Sequence, residues 1–360
     1  MKKVLYLITL FVFPTILFSQ YQFTHEQEMA CTAIKSQGNT GTCWSFSTIS
    51  FLESELMRQG KRGTDLSEMY IVRNIYLDKA QNYLLRQGKA QFSQGSLAHD
   101  VIRAVEMKGL VTEASYSGKK VNNTYNHGQL EKELKVLIES AVKDKKVRAI
   151  WREKANELLD QHMGALPDNF SVDQAKEFTK KMAINPDNYV NLTSYTHHPF
   201  YEKFVLEIPD NYSNGSYYNL PIDELQSVAN NALKNGYTLA WDGDVSEKGF
   251  SARQGIAVLP KDENRSDLFL TPSEEIKVTQ SLRQSTFESY ATTDDHLMHI
   301  IGTAKDQNGT TYYLTKNSWG ELSPYKGFLY LSDAYFRLKT VSILVHKDAI
   351  PKEIASKLDF

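Results

Sequence analysis

Cysteine is nearly absent from this sequence: Cys31 and Cys43 are the only two among 360 residues. A disulfide-stapled framework is thereby excluded. At most one bridge closing a short loop is available, so a hydrophobic core has to hold the fold. A surplus of one sign of charge is lacking as well. Lys and Arg number 41 against 43 Asp and Glu, a formal net charge of −2. That balance offers no electrostatic footprint for DNA or RNA. Internal repeats and low-complexity tracts are missing, which excludes solenoids and extended disorder. Beyond residue 20 there is no run near the ~20 apolar residues that a membrane helix requires.

What is present points to a globular chain. Hydrophobic residues make up 41% of positions, with 20 Tyr and 17 Phe to fill a core or line a cleft. Residues 1–20 read as a secretory leader: Lys2 and Lys3 precede the apolar run Val4 to Phe18, and Ser19-Gln20-Tyr21 opens the polar chain. An exported protein without a membrane anchor in its mature form is the expectation.

The next stretches are helical. Thr42 to Arg58 carries Trp44, Phe46, Ile49, Phe51, Leu52 and Leu56, and Gly60 closes it. Ser67 caps a second helix. Gln94-Gly95-Ser96 is a turn into a third, Leu97 to Lys108, stopped by Gly109. Gly128 to His162 reads as one amphipathic helical stretch, its charge run Lys143 to Lys154 a solvated face, and Ser171 with Gln174 as a capping box for another helix. A short helix over Glu224 to Lys234 ends at Gly236. The period then shifts to strands at Tyr237–Trp241, His296–Thr303, Thr311–Thr315 and Phe328–Leu331, with Asp306-Gln307-Asn308-Gly309 as a hairpin turn. Helices first and antiparallel strands later imply an α+β protein of two lobes.

The chemistry concentrates in three places. In Gln37-Gly38-Asn39-Thr40-Gly41-Thr42-Cys43, a glycine-rich loop delivers a thiol to the first turn of a helix. Unpaired N–H groups and the positive dipole end there favour the reactive thiolate. Gln37 lies within reach to donate to an oxyanion beside the Cys43 N–H. A buried structural cysteine is the other reading of Cys43 taken by itself. Second, His296 and His299 on one strand point to opposite faces, which argues against a zinc pair and leaves His296 free to face a cleft. Third, Asn317 can orient the imidazole and Trp319 can shield that bond from water. Cys31, His99 and the pair His197-His198 have the contexts of a bystander thiol, an ordinary helix residue and a loop. Asp242 and Asp244 read as a turn, with a substrate amine or calcium as the other reading.

These segments resemble the papain-like cysteine peptidases in order and spelling. Within that family Tyr189-Val190-Asn191-Leu192-Thr193, Asn219-Leu220-Pro221-Ile222, Trp241-Asp242-Gly243-Asp244-Val245 and Val345-His346-Lys347 resemble the bleomycin hydrolase and aminopeptidase C branch. The resemblance implies a papain-like two-lobed fold. A helical lobe covers about 21–118, a helical insertion about 119–186, and a β-rich, antiparallel, barrel-like lobe about 187–360. It implies Cys43 as nucleophile, His296 as base, Asn317 as orienting amide and Gln37 in the oxyanion hole. Gly95, Ser96, Asp295 and Trp319 become candidate substrate contacts. The substrate is a peptide or protein, with no cofactor and no metal, and assembly of several copies is compatible with the branch. In that branch an arm beyond the region of Pro351-Lys352-Glu353-Ile354 reaches into the cleft and enforces aminopeptidase action; this sequence stops at Phe360, which implies a missing or very short arm. A Cys-His-Asn acyl or amide transferase and a silent peptide-binding homologue are the alternatives to a peptidase.

Overall fold

In the computed structural model, residues 21–358 and Phe360 are described; the expected leader over residues 1–20 lies outside them. Helix α1 (Cys43–Arg58) has 14 of its 16 residues buried. A helix apolar on every side is one that neighbours enclose completely. Here the enclosure comes from α2 (Glu68–Leu85) and α3 (Ala98–Lys108) on one side and the sheet on the other. Trp44, Ile49, Phe51, Leu52 and Leu56 are all 0% exposed. Each such side chain contributes about 1.5–3 kcal/mol of transfer free energy. The buried Glu53 of α1 is held by the Leu66 amide at 2.8 Å and the Thr32 hydroxyl at 2.5 Å.

Local signals set the helix ends. Ser67 accepts from the Tyr70 amide at 3.0 Å to start α2, and Gly109 at φ 75° ends α3. The long amphipathic stretch is two helices, α4 (Gly128–Lys143) and α5 (Lys145–Met163). Asp144 divides them: its backbone is extended, and its carboxylate takes the Lys146 amide at 2.7 Å, an N-cap that ends one helix by beginning the next. Ser171 caps α6 (Val172–Met182) through the Gln174 amide, and α7 (Ile222–Lys234), α8 (Gln280–Glu288) and α9 (Asp333–Lys339) follow among the strands.

The strands are β1 (Thr24–Glu28), β2 (Tyr189–Thr193), β3 (Lys203–Val205), β4 (Ser216–Asn219), β5 (Leu239–Gly243), β6 (Phe250–Ser251), β7 (Ile256–Ala257), β8 (His296–Lys305), β9 (Thr311–Lys316), β10 (Phe328–Ser332) and β11 (Thr340–His346). They form one open sheet in the order β3-β4-β2-β11-β5-β8-β9-β10-β7-β6, antiparallel except at β2/β4 and β10/β7. The α+β class and the helices-then-strands order hold, with an open sheet where a barrel-like lobe was expected. Strand β8 is its axis: residues 296–300 pair with β5, and the same edge continues against β1 from Gly302 to Lys305. A Cβ on Gly302 would stand 2.1 Å from the Gln27 carbonyl oxygen, so only glycine lets β1 lie there. Side chains alternate along β8. Leu297 joins the core around α1, and Met298 and Ile300 join the one beneath α7 and α9.

Candidate active site

The site forms where the first turn of α1 meets the start of β8. Cys43 is the first residue of α1 and is 8% exposed. The Leu297 amide of β8 donates to its sulfur, so His296, the preceding residue, stands at the same junction. His296 Nε2 lies 2.8 Å from Asn317 Oδ1. The Ser318 amide donates to that same oxygen at 2.7 Å. A backbone N–H can only donate, so the Asn317 atom is the carbonyl oxygen, and His296 Nε2 carries the proton. Nδ1 is left as the basic nitrogen. The Trp319 ring covers the imidazole, with centroids 4.4 Å apart.

The loop before α1 is sewn to the loop after β9. The Gln37 amide N–H donates to the Ser318 carbonyl at 2.9 Å, and Gln37 Oε1 accepts from the Ser318 hydroxyl at 2.7 Å. Gln37 Nε2 spends one proton on the Thr40 carbonyl at 2.6 Å and keeps a second. Gly38 sits at φ 62°, where a Cβ would come within 2.4 Å of Thr124 Oγ1; a side chain here would displace the loop.

The electrostatics differ from the expectation for a helix N-terminus. Burial pushes the Cys43 thiol up to about 12; the Leu297 N–H opposes this, and Asp294, Asp242 and Asp210 add to it. Burial also takes the His296 imidazole down to about 4, against the upward pull of Asn317. Desolvation outweighs the single hydrogen bond at each group because an isolated charge of either sign has lost its water. Proton transfer from thiol to imidazole creates both charges together with no net charge, which is the form in which such a site can ionise.

The other expected residues are placed as follows. The Gly95 carbonyl accepts from Lys79 Nζ, and the Asp210 carboxylate occupies the space over its Cα. The Ser96 hydroxyl is 2.8 Å from Asp100 Oδ2, at the start of α3. Asp295 joins the head of β8 to the following turn, taking the Thr293 hydroxyl at 2.7 Å and the Val245 amide at 3.3 Å. Both cysteines are free, which removes the single-staple reading. His299 faces α1, 2.9 Å from Ser50 Oγ, on the side of β8 away from His296. Asp242 is a strand residue of β5 and not part of a turn; only Asp244, whose carboxylate takes the Ser246 amide at 2.8 Å, has the turn's hydrogen bonds. His197 and His198 share Glu207, at 3.2 and 2.7 Å, a partner ten residues along that the local sequence did not reveal.

Comparison with known proteins points to one family. The Peptidase C1-like family matches residues 165–360, and the papain family cysteine protease domain matches residues 20–196. Human bleomycin hydrolase is 22% identical over 96% of this chain and 87% of its own length. Aminopeptidase G of Lactobacillus delbrueckii subsp. lactis is 23% identical over 91% and 83%, and aminopeptidase C of Listeria monocytogenes is 23% identical over 92% and 83%. The crystal structure of PepW from Lactobacillus rhamnosis HN001 superposes with a TM-score of 0.73 at 18% identity, covering 93% of this chain and 84% of that one. The chain is a papain-type cysteine peptidase and belongs to the Peptidase C1-like family.

Proposed function

We propose that Cys43, His296 and Asn317 hydrolyse peptide bonds as nucleophile, base and orienting amide, and that the enzyme acts on peptides as an aminopeptidase. The observation that carries this reading is the fixed tautomer of His296: Asn317 Oδ1 holds the Nε2 proton at 2.8 Å and leaves Nδ1 basic. Nδ1 takes the proton from Cys43 Sγ as sulfur attacks the carbonyl carbon. The oxyanion is met by the Cys43 N–H and the second proton of the Gln37 amide. Collapse breaks the C–N bond, His296 returns the proton to the leaving amine, and a thioester remains. Water, deprotonated by His296, then releases the acid and restores the thiol. Trp319 keeps solvent from the His296–Asn317 bond.

The test is turnover and labelling together. The wild type should cleave peptide amides and take one equivalent of an active-site-directed epoxide at Cys43, and Cys43→Ala should lose both. Unchanged peptidase activity in Cys43→Ala overturns the assignment. Amide products that incorporate an added amine in preference to water would favour an acyl transferase. Export is proposed on the pattern of residues 1–20 alone; a mature N-terminus near Tyr21 in protein recovered outside the cytoplasm checks it.

A further inference from the structure

The loop between β3 and β4, residues 206–215, leaves the sheet and crosses to the helices beside the site. Glu207, Ile208 and Pro209 line a cavity of about 490 Å³ with Phe287, Thr293 and Asp294, and Asp294 stands two residues before His296. The next residue, Asp210, lies on the opposite wall. Its Oδ2 is 1.8 Å from where a Cβ on Gly95 would be, so the carboxylate rests on the Gly95 Cα, and its Oδ1 accepts from Gln91 Nε2 at 3.0 Å. The Gly95 segment is packed on the residues that flank Cys43. The Gly41 amide donates to Gln94 Oε1 at 2.8 Å, and the Trp44 indole N–H donates to the Gln94 carbonyl at 3.0 Å. Neighbouring Cα atoms are about 3.8 Å apart, so Pro209 and Asp210 bring one loop against both walls, the head of β8 and the Gly95 segment.

The loop is fastened in that position. Asn211 folds it on itself, its side-chain N–H groups donating to the Leu206 and Gly215 carbonyls at 2.9 Å each and its Oδ1 accepting from the Gly215 amide at 2.7 Å. The buried Tyr212 donates through its hydroxyl to Asp78 of α2 at 2.8 Å and accepts from Arg103 of α3 at 2.9 Å. The Ser213 hydroxyl is 3.0 Å from His99 Nε2, also on α3. Gly95 is meanwhile turned away from an incoming peptide: its carbonyl accepts from Lys79, a lysine 1% exposed. An extended peptide adds to a backbone edge through free carbonyl and amide groups. Here the carbonyl faces the interior and Asp210 covers the Cα.

We propose that the β3–β4 loop, through Asp210, is the wall that ends the cleft at Gly95, so that only a short N-terminal stretch of a peptide can precede the cleaved bond. The inference rests on the reading of Cys43 as the nucleophile of an aminopeptidase, and it names the element that sets the cleavage register. In that reading the leaving amine departs toward His296 and the Trp319 ring over it, so the N-terminal part of the substrate lies toward Gly95. A longer N-terminal part has to continue past Gly95, where it meets the Asp210 carboxylate and the anchored turn at Tyr212 behind it. The exclusion is steric, so it acts on the length of the peptide and not on the identity of its side chains. The cavity beside Asp294 remains as the space for what does enter.

A decapeptide with a free N-terminus is given to the full chain, and the first products are read by mass spectrometry at low conversion. The wild type should cut at the first or second bond. Asp210→Gly clears the Gly95 Cα. Replacement of residues 206–215 by Asn-Gly joins the paired Val205 and Ser216 through a two-residue hairpin turn. In both variants internal bonds should be cut, their share of the first products rising about tenfold. If the shortened loop does not fold, Asp210→Gly carries the test. Internal fragments as first products of the wild type overturn the wall and leave the peptidase reading intact, as does an unchanged register in a folded variant.

Alkylation reads the wall without turnover. Cys43 is labelled with N-acetyl-alanyl and N-acetyl-tetraalanyl chloromethyl ketone, neutral reagents that differ in length, with Cys31 in the same digest as reference. The short reagent should lead the long one at Cys43 by about tenfold over the ratio at Cys31, and in Asp210→Gly the lead should fall to within about threefold. A ratio that does not depend on length overturns the wall. Length-graded labelling without cleavage of any peptide overturns the peptidase reading instead, and a Cys43 that is neither labelled nor active overturns both.

Discussion

Gln37 Oε1 accepts a hydrogen bond from the Ser318 hydroxyl at 2.7 Å, and this contact joins the two halves of the site. Ser318 follows Asn317, and its amide also donates to Asn317 Oδ1. The amide proposed as oxyanion donor and the amide bonded to His296 are thus aligned by one serine.

Ser318→Ala should therefore lower kcat/KM without abolishing activity. Loss of one buried neutral hydrogen bond costs roughly 1 kcal/mol, about fivefold. The fall should be in kcat, with KM and the pH profile unchanged, because Gln37 is loosened as an oxyanion donor while His296 keeps Asn317. A shifted pH profile would mean that Ser318 acts through His296 instead.

Asn317→Ala removes the group that fixes the tautomer, and kcat should fall on the order of a hundredfold. The sign of the accompanying pH effect follows from the structure. Asn317 raises the His296 pKa against the larger depression by burial. Without it the acid limb of kcat/KM should move to lower pH. Movement to higher pH would contradict the assigned bond.

His127 offers a stability test away from the site. It is 1% exposed, its Nδ1 is 3.0 Å from the Tyr76 hydroxyl, and burial takes it down to about 4. The unfolded chain binds a proton near pH 6.5 that the folded chain refuses until about pH 4, so His127 costs stability progressively as pH falls through that window. Urea unfolding of the wild type at pH 7.5 and pH 5 should include a drop on the order of 2 kcal/mol from this group. His127→Gln should reduce the difference between the two pH values, and an unchanged difference would show that His127 titrates normally.

Gly302→Ala should detach β1, since its Cβ would meet the Gln27 carbonyl at 2.1 Å. A destabilisation of about 1–3 kcal/mol is expected in chemical unfolding, with early hydrogen exchange confined to residues 24–28. Uniform exchange across β8 and β9 would mean the sheet itself had failed.

The residues of the proposed triad were legible because each lies in a contiguous motif: Gln37 to Cys43, Asp294 to Gly302, and Lys316 to Gly320. The helices were readable through their caps and periodicity, Ser67 and Gly109 being examples. Asp144 was not, because a single helix and a broken one share the same amphipathic pattern. Strand β1, Thr-His-Glu-Gln-Glu, is exposed throughout and carries no apolar alternation; it exists through backbone pairing with β8. Strand β11 is buried at every residue, so it lacks the alternation that marks a half-buried strand. Asp-Gly-Asp suggested a turn where sheet pairing keeps Asp242 in β5. At Cys43 the helix start was right, and the burial that pushes the thiol up is what the sequence did not show.

The enclosure of α1 links reactivity to structural integrity. The proposed nucleophile is the first residue of a helix packed between the helices and the sheet, and its sulfur accepts a hydrogen bond from the Leu297 amide of β8. A fluctuation large enough to expose Cys43 must part the helices from β8, and the same motion separates the thiol from His296. Unmasking the sulfur by unfolding therefore disarms it. A partly opened molecule presents a thiol parted from its imidazole, which under the proposed mechanism cannot cleave a peptide.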